Sequence, residues 1–256
     1  MKLFDISNLK LLLLAVNTFV YSIAVCQKLP SVQKEPMKAP VNVKIDGIPN
    51  EWDDAFKADN NSTDFKYLMA NDADVLYIVI QTDYPGSAQK IVAGGITFTF
   101  SSADKKSQAS LTYPTMPGQY SQGVSYPLRT PETTWKQIQD LTARLNDHIK
   151  EITVSGLTGI TEPAVSLYNE LGIKGAQYIS DKRLYTIEFC LPLKYLQNVI
   201  QNGTFNYKMQ VNGLMAGDGI VVGGHPMDAT DQPATHGSAN YLIAPTYLTS
   251  TYTLAK

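Results

Sequence analysis

The chain has 256 residues, 44% of them hydrophobic and 17% charged, and a formal net charge of −2. That balance belongs to a globular protein with one large core or two small ones, and it excludes a disordered or fibrous chain. No block of Lys or Arg stands out, so nucleic acid is excluded as an expected partner.

Taken in chain order, the N-terminus comes first. Lys2 and Lys10 flank a short basic region, followed by the apolar run "LLLLAVNTFVYSIAV" from Leu11 to Val25. The run is too short and too interrupted, by Asn17 and Ser22, for a membrane span, and its length suits a secretory signal peptide over residues 1–26. Ala24-Val25-Cys26 then reads as a small-x-small cleavage site. The rival reading is lipidation of Cys26. Val25 stands where a lipobox wants a small residue, which favours cleavage. Either reading exports the protein to the periplasm or outside the cell, with no transmembrane segment in the mature chain. Residues 27–40, with Pro30, Pro36 and Pro40, read as a polar linker. Cys190 is then the one remaining thiol, expected to be buried and structural, so no internal disulfide braces the core.

Beyond the linker, strand signals dominate a single domain over residues 41–256. "VNVKID" alternates apolar and polar residues up to a turn at Asp46-Gly47. "FKYLMA" and "VLYIVIQTD" flank the turn-forming "NDAD", and "GGITFTFSS" and "SQASLTYP" flank the charged tip "ADKK". "GAQYIS" and "RLYTIEFCL" flank "DK" as a third hairpin; "TFNYKMQVNG" and the β-branched tail from Asn240 supply further strands. Three helices are expected. One runs from Pro131 to Ile149 with Thr130 as N-cap, one from Pro163 to Leu171, and one over "LKYLQNVI" after Pro192. The expected fold is mainly β, a two-sheet antiparallel β-sandwich of jelly-roll or immunoglobulin-like type, with a helical insertion near 130–172.

Three stretches carry a family resemblance. "KIDGIPNEWDDA" holds Asp46, Gly47 and Trp52; "NDADVLYIVIQTD" holds Tyr77; "RLYTIEFCLPLKYL" holds Glu188 and Pro192. In this order and spacing they resemble the family 9 carbohydrate-binding modules and the wider DOMON-like superfamily. The resemblance covers about Val41 to Gly213 and implies an exported sandwich that binds oligo- or polysaccharide beside glycan-degrading enzymes. It also implies a sugar stacked between two tryptophans, and structural calcium. The chain departs from that pattern. Its tryptophans are Trp52 and Trp135, neither in a matching clamp position, and no Asp-x-Asp-x-Asp-Gly loop is present. Calcium therefore stands only as implied by the resemblance, and no cofactor is otherwise required.

Trp52 and Phe56 lie four apart and are expected to plug the end of the sandwich, with Asp53 and Asp54 facing water. Glu188 is expected to point outward or to bond a neighbouring strand. The candidate sugar site is the tyrosine-rich stretch from Leu111 to Trp135. Tyr113, Tyr120, Tyr126 and Trp135 offer flat apolar faces, and Gln119, Gln122 and Arg129 offer groups for hydroxyls. His225, Asp228, Asp231 and His236 form a candidate metal cluster, at a spacing that matches no familiar zinc pattern. A rival function is a haem-binding redox module using Met209, Met215, His225 or Met227; a third is an exported structural or interaction protein without a sugar ligand. No Gly-x-Ser-x-Gly elbow or His-Glu-x-x-His pair is present, so the expected role is non-catalytic; any link to catalysis is the one the resemblance implies, as an accessory to glycoside hydrolases acting on O-glycosyl bonds.

Overall fold

The computed structural model describes residues 28–115, 132–213, 221–222, 225–226 and 240–256. The expected signal peptide, residues 1–26, lies outside them. The strands are β1 (Ala58–Asn60), β2 (Phe65–Asn71), β3 (Val75–Thr82), β4 (Ile96–Ser101) and β5 (Gln108–Tyr113). After them come β6 (Glu151–Ser155), β7 (Ala164–Ser166), β8 (Lys174–Ile179), β9 (Tyr185–Pro192) and β10 (Thr204–Val211). The short β11 (Val221–Val222) and β12 (His225–Pro226) pair only with each other, and β13 (Thr246–Thr253) ends the set. The helices are α1 (Pro85–Gly94), α2 (Trp135–His148) and the single turn α3 (Asn240–Ile243).

Two antiparallel sheets result, ordered β1-β2-β3-β9-β8 and β13-β10-β4-β5-β6-β7. They face each other across one core. Phe189 of β9 meets Phe98 of β4 edge-to-face, with ring centroids 4.8 Å apart, and Tyr113 of β5 at 5.3 Å. The hydroxyls of Tyr67 and Tyr207 share a 2.8 Å hydrogen bond through that core, so neither buried phenol is left unsatisfied. The mainly β, two-sheet sandwich is as expected. All three expected hairpins form, as β2–β3, β4–β5 and β8–β9.

Several local expectations differ. "VNVKID" is not a strand; Asn42 takes φ 59°, and Val43 instead lies against the outer face of the five-stranded sheet. Pro163–Leu171 is not a helix but contributes β7, and "LKYL" is a four-residue 3-10 turn (Leu193–Leu196). The insertion is α2 followed by β6 and β7, which extend the six-stranded sheet. Helix α2 starts four residues later than expected, at a capping box in which Thr134 and Gln137 satisfy each other's backbone N–H groups. Residues 30–39, expected within a linker, are bonded to the sheet. The buried amide of Gln33 accepts from Met69 N at 2.7 Å and donates to Met69 O at 2.8 Å, imitating a strand partner. Cys190 is buried as expected, its thiol 3.3 Å from the Gly172 carbonyl, and burial pushes its pKa up.

The outer face of the five-stranded sheet is apolar, and the chain covers it with its own residues 37–56. Trp52, in the 3-10 turn Asn50–Trp52, packs there on Leu68, Ala70 and Val79, with Phe56 and Tyr77 beside it. It therefore seals an outer face and does not plug the end of the sandwich. Glu188 lies beneath this cover, fully buried. Its Oε2 accepts from Gly47 N at 2.9 Å and Asp46 N at 3.1 Å, and its Oε1 from the Trp52 indole N–H at 3.1 Å. It does face outward from its strand, yet into a covered site. Burial raises its pKa, and the three donors pull the other way without cancelling the rise.

Gly47 makes the approach geometrically feasible. Its φ is 84°, and a Cβ there would stand 2.6 Å from the Gln177 carbonyl carbon on β8.

Glu188→Ala leaves the Gly47 N–H and the Trp52 indole N–H buried without an acceptor, an expected loss of about 3 kcal/mol or more. Gly47→Ala meets both the left-handed φ and the β8 backbone, with an expected loss of about 2 kcal/mol or more. Urea unfolding measures both. Losses below about 0.5 kcal/mol, the level of a neutral surface change, would show that the clamp does not hold the cover.

Candidate functional site

A cleft of about 410 Å³ opens at one end of the five-stranded sheet, where the β1–β2 turn, the end of β3 and the turn before β9 meet. Local sequence shapes it. Asn60 closes the β1–β2 turn by accepting from Ser62 N, Thr63 N and the Thr63 hydroxyl, and Asp64 takes φ 54° as the chain reverses. Thr82 donates to the Asp64 carbonyl at 2.6 Å and accepts from Tyr84 N at 3.1 Å, which locks the β3 end to that turn. Pro85 then starts α1 directly after Tyr84, its missing N–H costing nothing at the first helical position.

The lining includes Asp59, Asp64 and Asp83, the amide residues Asn61 and Gln81, and Tyr84, while Phe65 borders the cleft as a core residue only 2% exposed. Asn61 and Asp83 are exposed, while Asp59, Asp64, Gln81 and Tyr84 are half-buried. Lys66 brings the one ammonium to the lining. This is a small polar recess with an aromatic wall, rich in acceptors and already ordered by its own hydrogen bonds.

Behind it runs a polar chain into the fold. Tyr241 on α3 donates to Asp64 Oδ2 at 2.5 Å and packs edge-on against Tyr84, with centroids 5.7 Å apart. The ammonium of Lys90 sits 4.8 Å over the Tyr241 ring and donates to the Thr246 hydroxyl at 3.1 Å. Lys90 is fully buried, and burial lowers its pKa to about 8, although Asp64 pulls it back up.

The tyrosine-rich candidates are not gathered into one site among the described residues. Tyr113 is a core residue, 1% exposed, with its phenol pKa raised by burial, so it offers no face to a ligand. Its position on β5 has the inward parity of the strand. Gln119, Tyr120, Gln122, Tyr126 and Arg129 lie outside the described residues. Trp135 is exposed at the first turn of α2. Arg183 donates to the Thr133 carbonyl at 2.7 Å, tying that turn to the β8–β9 hairpin that also brings Leu184 to the cleft. Trp135 thus stands at the same end of the sandwich as the cleft.

Of the candidate metal cluster, only the His225 backbone is described, in β12; Asp228, Asp231 and His236 lie outside the described residues. Among the described residues no three His, Cys, Asp or Glu side chains come together in a metal-binding group. Of the haem candidates, Met209 is buried in the sandwich core, and Met215 and Met227 lie outside the described residues. No helix among the described residues is long and apolar enough to cross a membrane.

Sequence reasoning missed the cleft and α1. The cleft draws on turns at separate positions along the chain, so no local run marks it. "DYPGSAQKIVAGG" did carry a helix signal, with Pro at the first position and Gly-Gly at the stop, but Pro-Gly equally marks a turn. No protein-family model matches the chain, and no curated protein matches it in sequence.

Lys90 sets a pH signature. Its folded pKa lies below its unfolded value, so between about pH 8 and 10 the unfolded chain binds more protons and stability rises with pH. Lys90→Met removes that rise. Urea unfolding of both proteins from pH 7 to 10 checks this; parallel curves would show that Lys90 is not titrating in the fold.

Proposed function

We propose that the protein is an exported, non-catalytic carbohydrate-binding module that holds glycans for polysaccharide-degrading enzymes, with the cleft at the sheet end as its sugar site. The observation that carries this reading is the lining of that cleft. Asp59, Asp83 and Asn61 present acceptors and an amide donor around a partly open tyrosine ring, Tyr84. A pyranose needs this pairing, a flat apolar surface for its C–H face and fixed polar groups for its hydroxyls. The three motif stretches resembling family 9 carbohydrate-binding modules support the same reading. The two-tryptophan clamp of those modules has no counterpart, since Trp52 is buried against β2 and β3. The sugar is instead held by Tyr84 and its acidic neighbours, with Trp135 at the same end of the sandwich.

Isothermal titration with cello-, xylo-, manno-, chito- and malto-oligosaccharides tests this. At least one series binds, and Asp83→Ala, a change at an exposed side chain, weakens that binding about tenfold (~1.4 kcal/mol) with melting unchanged. No heat from any series with the folded protein would remove the sugar reading.

A further inference from the structure

The two outer faces of the sandwich differ in kind. One is apolar and covered by residues 37–56. The other, the outer face of the six-stranded sheet, is uncharged over most of its area. Three rows of side chains cross it in register. The first runs Thr112, Thr97, Gln210 and Tyr247 from β5 to β13. The second runs Ser110, Thr99, Lys208 and Thr249, and the third Gln108, Ser101, Asn206 and Thr251. On β6 the surface continues through Thr153 and Ser155.

A soluble surface ordinarily holds about 25–35% charged residues of both signs. Lys208 is the one charged side chain in these rows, and it sits 4.9 Å over the exposed ring of Tyr247. Among the described residues, Glu151 at the start of β6 is the other charge on this face. The terminal strand β13, "TYLTSTYT", carries no charge and no proline, the usual protections of a strand at the end of a sheet.

The hydroxyls are also pre-ordered across strands. Thr97 and Thr112 share a 2.8 Å bond, Thr251 donates to Asn206 Oδ1 at 2.8 Å, and Thr204 and Thr253 meet at 3.2 Å. Groups held this way lose little rotamer freedom on binding, and each oxygen keeps acceptor capacity for a ligand. Neighbouring residues repeat about every 4.8 Å across strands and about every 6.7 Å along them, a regular donor and acceptor lattice.

We infer that this face is a second binding surface, distinct from the cleft, for a neutral polysaccharide in extended or particulate form. The match is one of charge and hydrogen bonding. A chain of uncharged hydroxyls complements rows of Thr, Ser, Asn and Gln, and Tyr247, 57% exposed, gives a ring at the edge for one sugar face. Among the described residues of this face, a polyanion would find one ammonium, Lys208, and a polycation one carboxylate, Glu151. The inference shares with the cleft reading only the premise of a saccharide ligand.

The test is co-sedimentation of the full chain with microcrystalline cellulose, chitin and granular starch, with heparin–agarose as the anionic control. At least one neutral solid depletes the protein and heparin does not. Tyr247→Ala with Thr99→Glu lowers retention about tenfold, and does so by the same factor in an Asp83→Ala background. Tyr247→Ala with Thr249→Ala, both at exposed positions, carries the test if the first variant fails to fold. Failure to sediment with all three solids overturns the inference. So does retention that survives both face variants but is lost in Asp83→Ala, which would place all binding in the cleft. Soluble oligosaccharide titration that persists in the face variants shows that the cleft reading stands by itself.

Discussion

A carboxylate buried from solvent must find donors, and Glu188 finds them in residues 46–52. That requirement organises the molecule. Glu188 sits in the middle of β9, a strand buried on both faces, where burial already raises its pKa. The backbone N–H groups of Asp46 and Gly47 and the Trp52 indole can reach it only if the segment before β1 folds back over the sheet. Once it does, Trp52 lands on Leu68, Ala70 and Val79, and Tyr77 lies tilted beside it with centroids 5.9 Å apart. A removed partner would leave the others unpaired in a dry site, so the polar clamp and the apolar cover depend on each other.

The cover divides the sandwich into unequal halves. With one outer face sealed, the cleft at the sheet end and the opposite face stay open to solvent. At the sheet end, turn chemistry concentrates Asp59, Asp64 and Asp83 around Tyr84, and α3 closes it from behind through Tyr241. The opposite face is built from alternate residues of strands whose other residues form the core. In β10 the sequence "TFNYKMQV" sends Phe205, Tyr207, Met209 and Val211 inward, and leaves Thr204, Asn206, Lys208 and Gln210 outside. Core and surface are thus two readings of the same strands.

Much of this was legible in sequence. The strict alternation in β4, β5 and β10 and the turn residues between paired strands are local signals, and they locate the hairpins. Legibility failed where one pattern had two uses. Val41, Val43 and Ile45 alternate like a strand, yet Val43 serves the outer cover from an irregular backbone. Tyr113 belongs to a tyrosine-rich stretch that looks like a site, but strand parity turns it into the core beside Phe189. Glu188 looked like an outward polar residue because its partners lie more than 130 positions earlier.

By itself, the sequence determined the class of fold and the three hairpins, because periodicity and turn chemistry act over a few residues. It also determined the polar character of the strand faces, since alternation is written residue by residue. Tertiary structure alone decided which face is covered, where the cleft lies and which aromatics are inside. Those outcomes depend on contacts between distant segments. Burial and hydrogen-bond satisfaction are set only when Glu188 meets Gly47 and Trp52, and when Asp64 meets Tyr241.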